Sequence, residues 1–371
     1  MYRYPTPAVR PCQLILAVAM AAGLASCADD IGPVIGIAMG GIDQALLPAR
    51  QKRFNDSVGI RHTVQLRLML PNTYAEDNGG LAWANELVTT PGIVGVVGHE
   101  GSRLALQAAP IYRQRGIVQI VPTGTSSQLA TVSPWTFPLV ASDTMQGQLL
   151  ARHLLDRKRT RITLFVQDDE YGRGIAGALE RGLAGSNAVV LEKVSNTPDS
   201  DFDLLVRSVL SHVPAPDALV LITQGPLAAS IAELSWKRDP TLLILGADAT
   251  STGASALRLL APAPDLAVLA TYWVPDTTNV AEQAFLRDFR ESEIGGEPQW
   301  YHAAMYDAVG MLNAAAASEG NSPTGVRAWL RSLGRTRPSY QGVLGSIDFT
   351  GAHPIPARLV RPTATGWELV K

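Results

Sequence analysis

Hydroxyl-bearing turns follow two neighbouring β-branched runs of this chain, and their chemistry suits a small anion. Gly101-Ser102 comes after the run Ile93–Val97, and Thr123-Gly124-Thr125 comes after Val118–Val121. In an open parallel sheet, ligands bind outside the carboxyl ends of the strands. Hydroxyl groups there, together with free amides at the start of a helix, favour a carboxylate or another small anion. The sequence therefore predicts a crevice for a small polar molecule at these two turns.

Familiar catalytic motifs do not occur in the sequence. His99-Glu100 is followed by Gly101-Ser102-Arg103, so this segment is not the two-histidine helix of zinc proteases. There is no Gly-x-Ser-x-Gly elbow and no phosphate loop, and the glycines at 36, 40 and 41 are spaced too loosely for a dinucleotide site. The sequence predicts a binding protein without a cofactor or a metal site, not an enzyme.

Short apolar runs alternate with segments of helical periodicity along most of the chain. Strands are predicted at 33–38, 63–69, 93–97, 118–121, 161–166, 189–194, 218–223, 242–245 and 266–272. Helices are predicted at 46–55, 81–88, 104–115, 145–155, 172–183, 204–210, 227–236, 280–290, 301–317 and 326–333. This alternation predicts parallel sheets covered on both faces. Pro134–Met145 separates two similar α/β series, and the tail predicts an antiparallel pairing of 347–349 with 357–360.

The N-terminal segment has the features of a secretory signal. Arg3 and Arg10 precede the apolar run Leu14–Ala25, which is too short to span a bilayer as a stable helix. The run closes on Leu24-Ala25-Ser26-Cys27, which resembles the bacterial lipobox. We therefore expect a signal peptide over 1–26, a lipid on Cys27, a tether over 27–32 and an extracytoplasmic protein anchored to a membrane. The alternative is an uncleaved anchor in which Cys27 has no role.

The charge of the chain argues against one class of partner, and its cysteine content excludes cysteine-based stabilising sites. The 371 residues include 31 Lys and Arg against 33 Asp and Glu, a formal charge of −2 without a basic block, so nucleic acid is not an expected partner. Cys12 and Cys27 are the only cysteines, and Cys12 leaves with the predicted signal. A mature chain then has no thiol pair for a disulfide or a zinc–cysteine site.

Five segments together carry a resemblance to a known family. They are GVVGHEGS at 95–102, IVPTGTSS at 120–127, FVQDDEYGRG at 165–174, YHAAMYDAVGML at 301–312 and GSIDFTGAHP at 345–354. In this order and spacing, the chain resembles the periplasmic solute-binding proteins of branched-chain amino acid (Leu/Ile/Val-type) ABC transporters. The resemblance implies the type I periplasmic-binding-protein fold, an α/β fold of two Rossmann-like lobes with parallel sheets, joined by three crossover strands.

The resemblance also implies how the chain divides between the lobes. An N-terminal lobe would contain 31–140 and 273–340, and a C-terminal lobe would contain 141–272 and 341–371. Crossovers are expected near 139–142, 270–274 and 341–346.

Five site residues follow from the same resemblance. Ser102 would take the carboxylate of a ligand, Thr123 would meet the ligand by its backbone, and Thr125 by side chain and backbone. Asp248 would pair with an α-ammonium group, and Tyr171 would wall the pocket from the second lobe. The alternatives are that Ser102 is only a helix N-cap, that Asp248 forms an Asx turn or cap, and that Tyr171 shields the next helix.

Gln224-Gly225-Pro226 departs from the family pattern. Amino-acid binders of this family commonly place an aromatic residue here, and this chain has none. Gln224 is expected instead to offer its amide to a more polar ligand. Glu100 and Arg103 flank Ser102 and are expected to form an exposed surface pair, whereas a pocket role for Arg103 would favour a second anionic group on the ligand.

Two functions of different classes remain open from the sequence. In the first, the protein captures an amino acid or a related small amide or carboxylate between its lobes and delivers it to the permease of an ABC importer. In the second, a ligand-independent or sensory lipoprotein of the same fold regulates a partner protein. An open, hydroxyl-lined cleft would favour the first, and a filled crevice or a large exposed apolar patch the second.

Overall fold

The computed structural model describes residues 32–40, 43–58, 63–68, 79–276, 278–351, 354–363 and 366–370. The predicted signal, the predicted lipidation site Cys27 and the predicted tether as far as residue 31 lie outside these residues. Within the described segments, no helix is long and apolar enough to cross a membrane.

Strands and helices alternate through most of the described chain. The strands are β1 (Val34–Ala38), β2 (Gln65–Leu68), β3 (Ile93–Gly98), β4 (Val118–Val121), β5 (Thr136–Pro138), β6 (Arg161–Gln167), β7 (Val189–Asn196), β8 (Ala218–Ile222), β9 (Leu243–Gly246), β10 (Ala267–Thr271), β11 (Tyr340–Gly342), β12 (Gly345–Ile347), β13 (Arg358–Pro362) and β14 (Trp367–Leu369). The helices are α1 (Leu47–Val58), α2 (Gly79–Leu87), α3 (Gly101–Arg115), α4 (Leu129–Val132), α5 (Asp143–Asp156), α6 (Glu170–Leu183), α7 (Phe202–Leu210), α8 (Gly225–Trp236), α9 (Ala254–Leu260), α10 (Val280–Glu291), α11 (Trp300–Glu319) and α12 (Pro323–Ser332).

The first sheet has five parallel strands in the order β2-β1-β3-β4-β5. All residues of β1, β3 and β4 are buried, as expected for apolar strands with helices on both faces. On one face, α11 packs so closely that a Cβ on Gly95 would lie 3.0 Å from the Leu312 side chain. On the other face, Trp83 and Tyr112 of α2 and α3 belong to a separate apolar cluster.

The second sheet has the order β14-β13-β10-β9-β8-β6-β7. Strands β10, β9, β8, β6 and β7 are parallel, and β13 pairs antiparallel with both β10 and β14. Successive residues of β6 pack into different apolar clusters, Leu164 on one face of the sheet and Phe165 on the other. The protein therefore has the α/β fold of mostly parallel, doubly covered sheets that the sequence predicts.

The chain passes between the two sheets at segments that lie side by side. Val140 forms a parallel bridge with Ile355; the Ala141 amide donates to the Ile355 carbonyl at 2.8 Å, and the Ile355 amide to the Leu139 carbonyl at 3.1 Å. After β10, Tyr272 and Trp273 pack into the apolar cluster of the first sheet. The Tyr272 hydroxyl also donates to the Ala141 carbonyl at 2.9 Å, so these passages form one hydrogen-bonded junction.

The third crossover is not at 341–346, where the sequence predicted it. That segment belongs to the two-stranded hairpin β11–β12, whose turn is fixed to α11. The amides of Val343 and Leu344 each donate at 2.9 Å to the buried carboxylate of Asp307, which would otherwise lack partners. The third passage uses Ile355 instead.

The pairing predicted for the tail is also wrong. Strand β12, which overlaps the predicted 347–349, pairs with β11, and β13 pairs with β10 and β14. Only Ile347 of the first predicted run lies in a strand, whereas 358–360 of the second run lie in β13. The predicted partners are wrong because alternation of apolar residues does not specify which edge a strand joins.

Candidate functional site

A cleft with a volume of about 580 Å³ lies between the carboxyl ends of the two sheets. Six residues that the sequence singled out line this one cleft, three from the first sheet and three from the second: Ser102, Thr123, Thr125, Tyr171, Gln224 and Asp248. Glu100 and Arg103 line it as well, so they are not merely an exposed pair on an outer surface.

Ser102 lies in the first turn of α3 and ties together the two turns of the first sheet. Its Oγ accepts hydrogen bonds from the amides of Thr125 at 3.1 Å and Ser126 at 2.9 Å. A hydroxyl that accepts twice still has its own hydrogen to donate. The N-cap position of α3 is Glu100, which makes no capping hydrogen bond with its side chain. The alternative that Ser102 is the N-cap is therefore wrong.

Thr123 and Thr125 complete the first-sheet side of the cleft. Thr123 Oγ1 accepts the Gly101 amide at 3.2 Å, so its hydroxyl hydrogen is also left to donate. Thr125 is buried, and its carbonyl accepts the Asp143 amide at 2.7 Å. This side of the cleft thus combines hydroxyl donors with the N-terminus of α3, a combination that stabilises negative charge.

Asp248 follows β9 at the start of the 3₁₀ turn Asp248–Gly253 and is 3 % exposed. Its Oδ1 accepts hydrogen bonds from the Tyr171 hydroxyl at 2.7 Å and from Gln146 Nε2 at 2.9 Å. Burial raises the pKa of Asp248, and these two hydrogen bonds oppose that rise. The carboxylate therefore bonds to residues far along the chain, in addition to the nearby Ala249 backbone amide, which also lowers its pKa.

The hydroxyl of Tyr171 faces Asp248, and it both donates and accepts a hydrogen bond. It donates to Asp248 and accepts the Ala249 amide at 3.2 Å. Burial raises the pKa of Tyr171 well above its ordinary value, so the hydroxyl stays protonated. Tyr171 therefore lines the cleft with its ring, and its hydroxyl orients Asp248.

Gln224 is exposed in the cleft at the N-cap position of α8, where its side chain makes no capping hydrogen bond. The adjacent amide of Gly225 donates instead to Thr252 Oγ1 at 3.0 Å. A neighbouring threonine thus does the work that an N-cap side chain often does. The side-chain amide of Gln224 therefore lies on the cleft surface and does not cap α8.

Sequence reasoning missed two buried polar residues that contact the residues lining the cleft. Asp143 and Gln146 lie in the first turn of α5 and are both buried, although polar residues there read as a solvated helix face. Burial, and to a lesser degree the charges of Asp248 and Glu170, raise the pKa of Asp143 to about 7, while a hydrogen bond with Thr125 opposes the rise. Their spacing of three residues, next to the break at Pro134–Met145, was the available signal.

Trp300, at the start of α11, connects the first-sheet side of the cleft to Asp248. Its indole Nε1 donates to the Asp248 carbonyl at 3.3 Å. A second contact across the cleft joins Gln128 Nε2 to Glu170 Oε1 at 3.2 Å. Within the parts of the chain that the structure describes, no group of three or more His, Cys, Asp or Glu side chains has a metal-binding arrangement.

Comparison with known proteins gives a consistent result. A family model described as "Periplasmic binding protein" matches residues 46–361. The chain is 26 % identical over 311 residues to the Leu/Ile/Val-binding protein homolog 1 of Brucella abortus (strain 2308), covering 80 % of this chain and 78 % of that protein. It is also 26 % identical over 275 residues to an amino acid binding protein of Pseudomonas aeruginosa, covering 72 % of each.

Solved structures share the fold. An ABC transporter substrate-binding protein from Desulfitobacterium hafniense in complex with Leu superposes with a TM-score of 0.72 at 23 % identity, covering 91 % of this chain and 99 % of that one. A branched-chain amino acid transporter substrate-binding protein from Streptococcus pneumoniae in complex with isoleucine gives 0.76 at 18 % identity, with coverage of 91 % and 99 %. A solute-binding protein from R. palustris in complex with benzoate gives 0.73 at 16 % identity, with coverage of 91 % and 95 %.

Proposed function

We propose that this chain, which belongs to the periplasmic binding protein family, captures an amino acid or a related small amide or carboxylate in its cleft. The observation that carries this proposal is the polarity of the cleft between its two sides. Hydroxyl donors of Ser102 and Thr123 and the N-terminus of α3 suit a carboxylate. The carboxylate of Asp248 on the opposite side suits an ammonium group.

We assign the ligand-contacting roles within that arrangement to the six residues predicted from the sequence. Ser102, Thr123 and Thr125 hold the anionic end, and Asp248 holds the cationic end. Tyr171 contributes its ring, and its hydroxyl orients Asp248.

Gln224 favours a ligand more polar than leucine. Relatives named for leucine, isoleucine and valine set the amino-acid class, but this cleft has an unengaged amide where that class commonly places an aromatic wall. An amide donates and accepts hydrogen bonds at once. A solute with a polar side group would use both capacities.

Binding is proposed to close two lobes about the junction of the crossovers. In this division the N-terminal lobe comprises 31–140 and a second segment that begins at 273, and the C-terminal lobe comprises 141–272 and the end of the chain. The hairpin of β11 and β12 packs on α11, so the last boundary belongs near Ile355 instead of at 341. Closure by hinge motion is a standard response of two-lobed receptors.

Delivery is proposed to go to the permease of an ABC importer, from an extracytoplasmic site where Cys27 carries a lipid anchor. Solved neighbours described as ABC transporter substrate-binding proteins support the transport role. The open cleft favours solute capture over the alternative of a ligand-independent regulator. We propose binding without catalysis, because the cleft residues are arranged to hold opposite charges at its two ends.

A thermal-shift panel of purified protein against amino acids, amides, ureas and small dicarboxylates tests this function. A solute at a hundred times its dissociation constant stabilises a protein by about 2.7 kcal/mol. We expect at least one hit, lost in both Ser102→Ala and Asp248→Ala. A folded wild type that no solute stabilises would favour the partner-regulating function instead.

A further inference from the structure

An unbroken series of hydrogen bonds leads from Asp248 toward the crossovers, and it begins at Gln146. The side-chain amide of Gln146 contacts Asp248 twice. Its Nε2 donates to Asp248 Oδ1 at 2.9 Å, and its Oε1 accepts the Asp248 backbone amide at 2.8 Å. One side chain thus fixes both the backbone and the carboxylate of the residue that faces the cleft.

The second hydrogen of the Gln146 amide continues the series to the crossovers. Gln146 Nε2 also donates to the Tyr272 hydroxyl at 3.0 Å, and that hydroxyl donates to the Ala141 carbonyl at 2.9 Å. The Ala141 amide in turn donates to the Ile355 carbonyl at 2.8 Å. Asp248 is therefore connected to all three crossover segments, at Ala141, Tyr272 and Ile355.

Burial couples the hydrogen bonds of this series to one another. Gln146, Tyr272 and Asp248 are 0 %, 2 % and 3 % exposed. In such a site a broken hydrogen bond leaves its partner unsatisfied, away from water, and neighbouring bonds in a network reinforce one another. A change in the orientation of Asp248 therefore favours a matching change at Tyr272.

Trp300 adds the first-sheet side of the cleft to the same assembly. Its indole donates to the Asp248 carbonyl, and its ring meets that of Tyr272 edge to face with centroids 4.8 Å apart. Rotation of one sheet against the other about the crossovers would disturb both contacts.

We propose that Gln146 and Tyr272 are positioning residues that couple occupancy of the cleft at Asp248 to the hinge. This rests on the proposed function, because a bound solute supplies the signal. A ligand shifts an equilibrium only through different affinities for the two states. The hydrogen-bonded series provides that difference, since the orientation in which Asp248 binds and the geometry of the crossovers are fixed by the same bonds.

Hydrogen exchange of the unliganded protein tests the coupling without a ligand. Tyr272→Phe keeps the ring and removes the hydroxyl, and the amide to watch is that of Asp248, two links away. We expect exchange in a peptide covering 246–250 to accelerate about 2- to 12-fold, the range for the loss of one hydrogen bond. Unchanged exchange there would overturn the proposal.

Tyr112→Phe is the matched control. It removes another buried tyrosine hydroxyl, one that bonds to His99 at 2.8 Å in the first-sheet part. We expect its effect to stay near 97–112, and acceleration at 246–250 in this control would also overturn the proposal. Gln146→Met breaks the same series at its Asp248 end. We expect hydrogen exchange at 139–142 to accelerate in this variant, and this measurement decides the proposal if Tyr272→Phe does not fold.

L-Glutamine and L-leucine are the probes for the signal itself. In the wild type, we expect the probe that protects 100–103 to protect 139–142 as well. In Gln146→Met, at a higher probe concentration that protects 100–103 to the same extent, we expect 139–142 to stay unprotected. Equal protection of both segments in Gln146→Met would overturn the coupling. If neither probe protects 100–103 in the wild type, the proposed amino-acid binding by the cleft is contradicted. The coupling is then decided by hydrogen exchange of the unliganded variants.

Discussion

Ser102 and Thr125, 23 positions apart in the chain, are joined by a hydrogen bond in which Ser102 Oγ accepts the Thr125 amide at 3.1 Å. The same oxygen accepts the Ser126 amide at 2.9 Å. One serine therefore holds the turn after β4 against the first turn of α3. The residue proposed to bind the ligand also builds the surface on which the ligand would rest.

Ser102→Ala is expected to lower the free energy of unfolding by about 1–3 kcal/mol, because partly buried amides lose their acceptor. The measurement is urea denaturation with an unchanged slope, so that the midpoint reports stability. Ser230→Ala is the control, since Ser230 Oγ only donates to a carbonyl of its own helix on an exposed face. Equal midpoints for the two variants would show that Ser102 does not hold the turn.

Tyr171→Phe is expected to make solute binding more sensitive to acid. The Tyr171 hydroxyl helps to keep the pKa of Asp248 down, and an ammonium group needs the ionised carboxylate. Without that bond the pKa of Asp248 rises, so affinity should begin to fall at a higher pH than in the wild type. Calorimetric titrations between about pH 5 and 8, with the solute found by thermal shift, measure this. Parallel pH profiles for wild type and Tyr171→Phe would contradict the role of Tyr171.

Asp143→Asn is expected to alter how stability depends on pH. Burial raises the pKa of Asp143 to about 7, so the folded state holds a proton that the unfolded chain has already released above its ordinary pKa. Asp143 therefore makes the wild type lose stability as pH rises from about 4 to 7, by at most about 1.4 kcal/mol per pH unit.

Denaturation at pH 5 and pH 8 checks this sign. The stability of Asp143→Asn relative to wild type should be greater at pH 8 than at pH 5. Asp307, whose pKa burial raises to about 6, contributes with the same sign in both proteins and cancels in the comparison. A difference that is the same at both pH values would show that Asp143 is not protonated in the folded protein.

Gln224→Leu is expected to change selectivity. Removing the amide from the cleft should weaken binding of a polar solute such as L-glutamine by about 2- to 12-fold and leave L-leucine unaffected or improved. Gln148→Leu, at an exposed position of α5, is the matched control. Loss of both amino acids to the same extent would place Gln224 outside the contacts that select the ligand.

Much of the site was predictable because it lies at the ends of strands. Ser102 and Thr125 follow β-branched runs whose burial was evident, and in a parallel sheet the ends of such runs meet at one edge. Helix boundaries were less accurate. The structure begins α3 at Gly101 and α6 at Glu170, two to three residues before the predicted starts, because first turns lack the apolar spacing that marks a helix.

The interior polar contacts were not predictable from local pattern. Gln146 makes bonds to residues more than a hundred positions away, and its sequence neighbourhood resembles an ordinary amphipathic helix. The use of the Tyr171 hydroxyl likewise depends on where β9 ends in space. The hairpin at 340–347 was misjudged because the buried acceptor that holds it, Asp307, lies in a helix far along the chain.

A crystal structure of the protein with the solute that gives the largest thermal stabilisation is the most direct test. We predict density between the two sheets, with an anionic group of the solute within hydrogen-bond distance of Ser102 Oγ and a cationic or N–H donor group at the Asp248 carboxylate. A stabilising solute bound elsewhere on the protein, with the cleft between Ser102 and Asp248 holding none of it, would contradict the account.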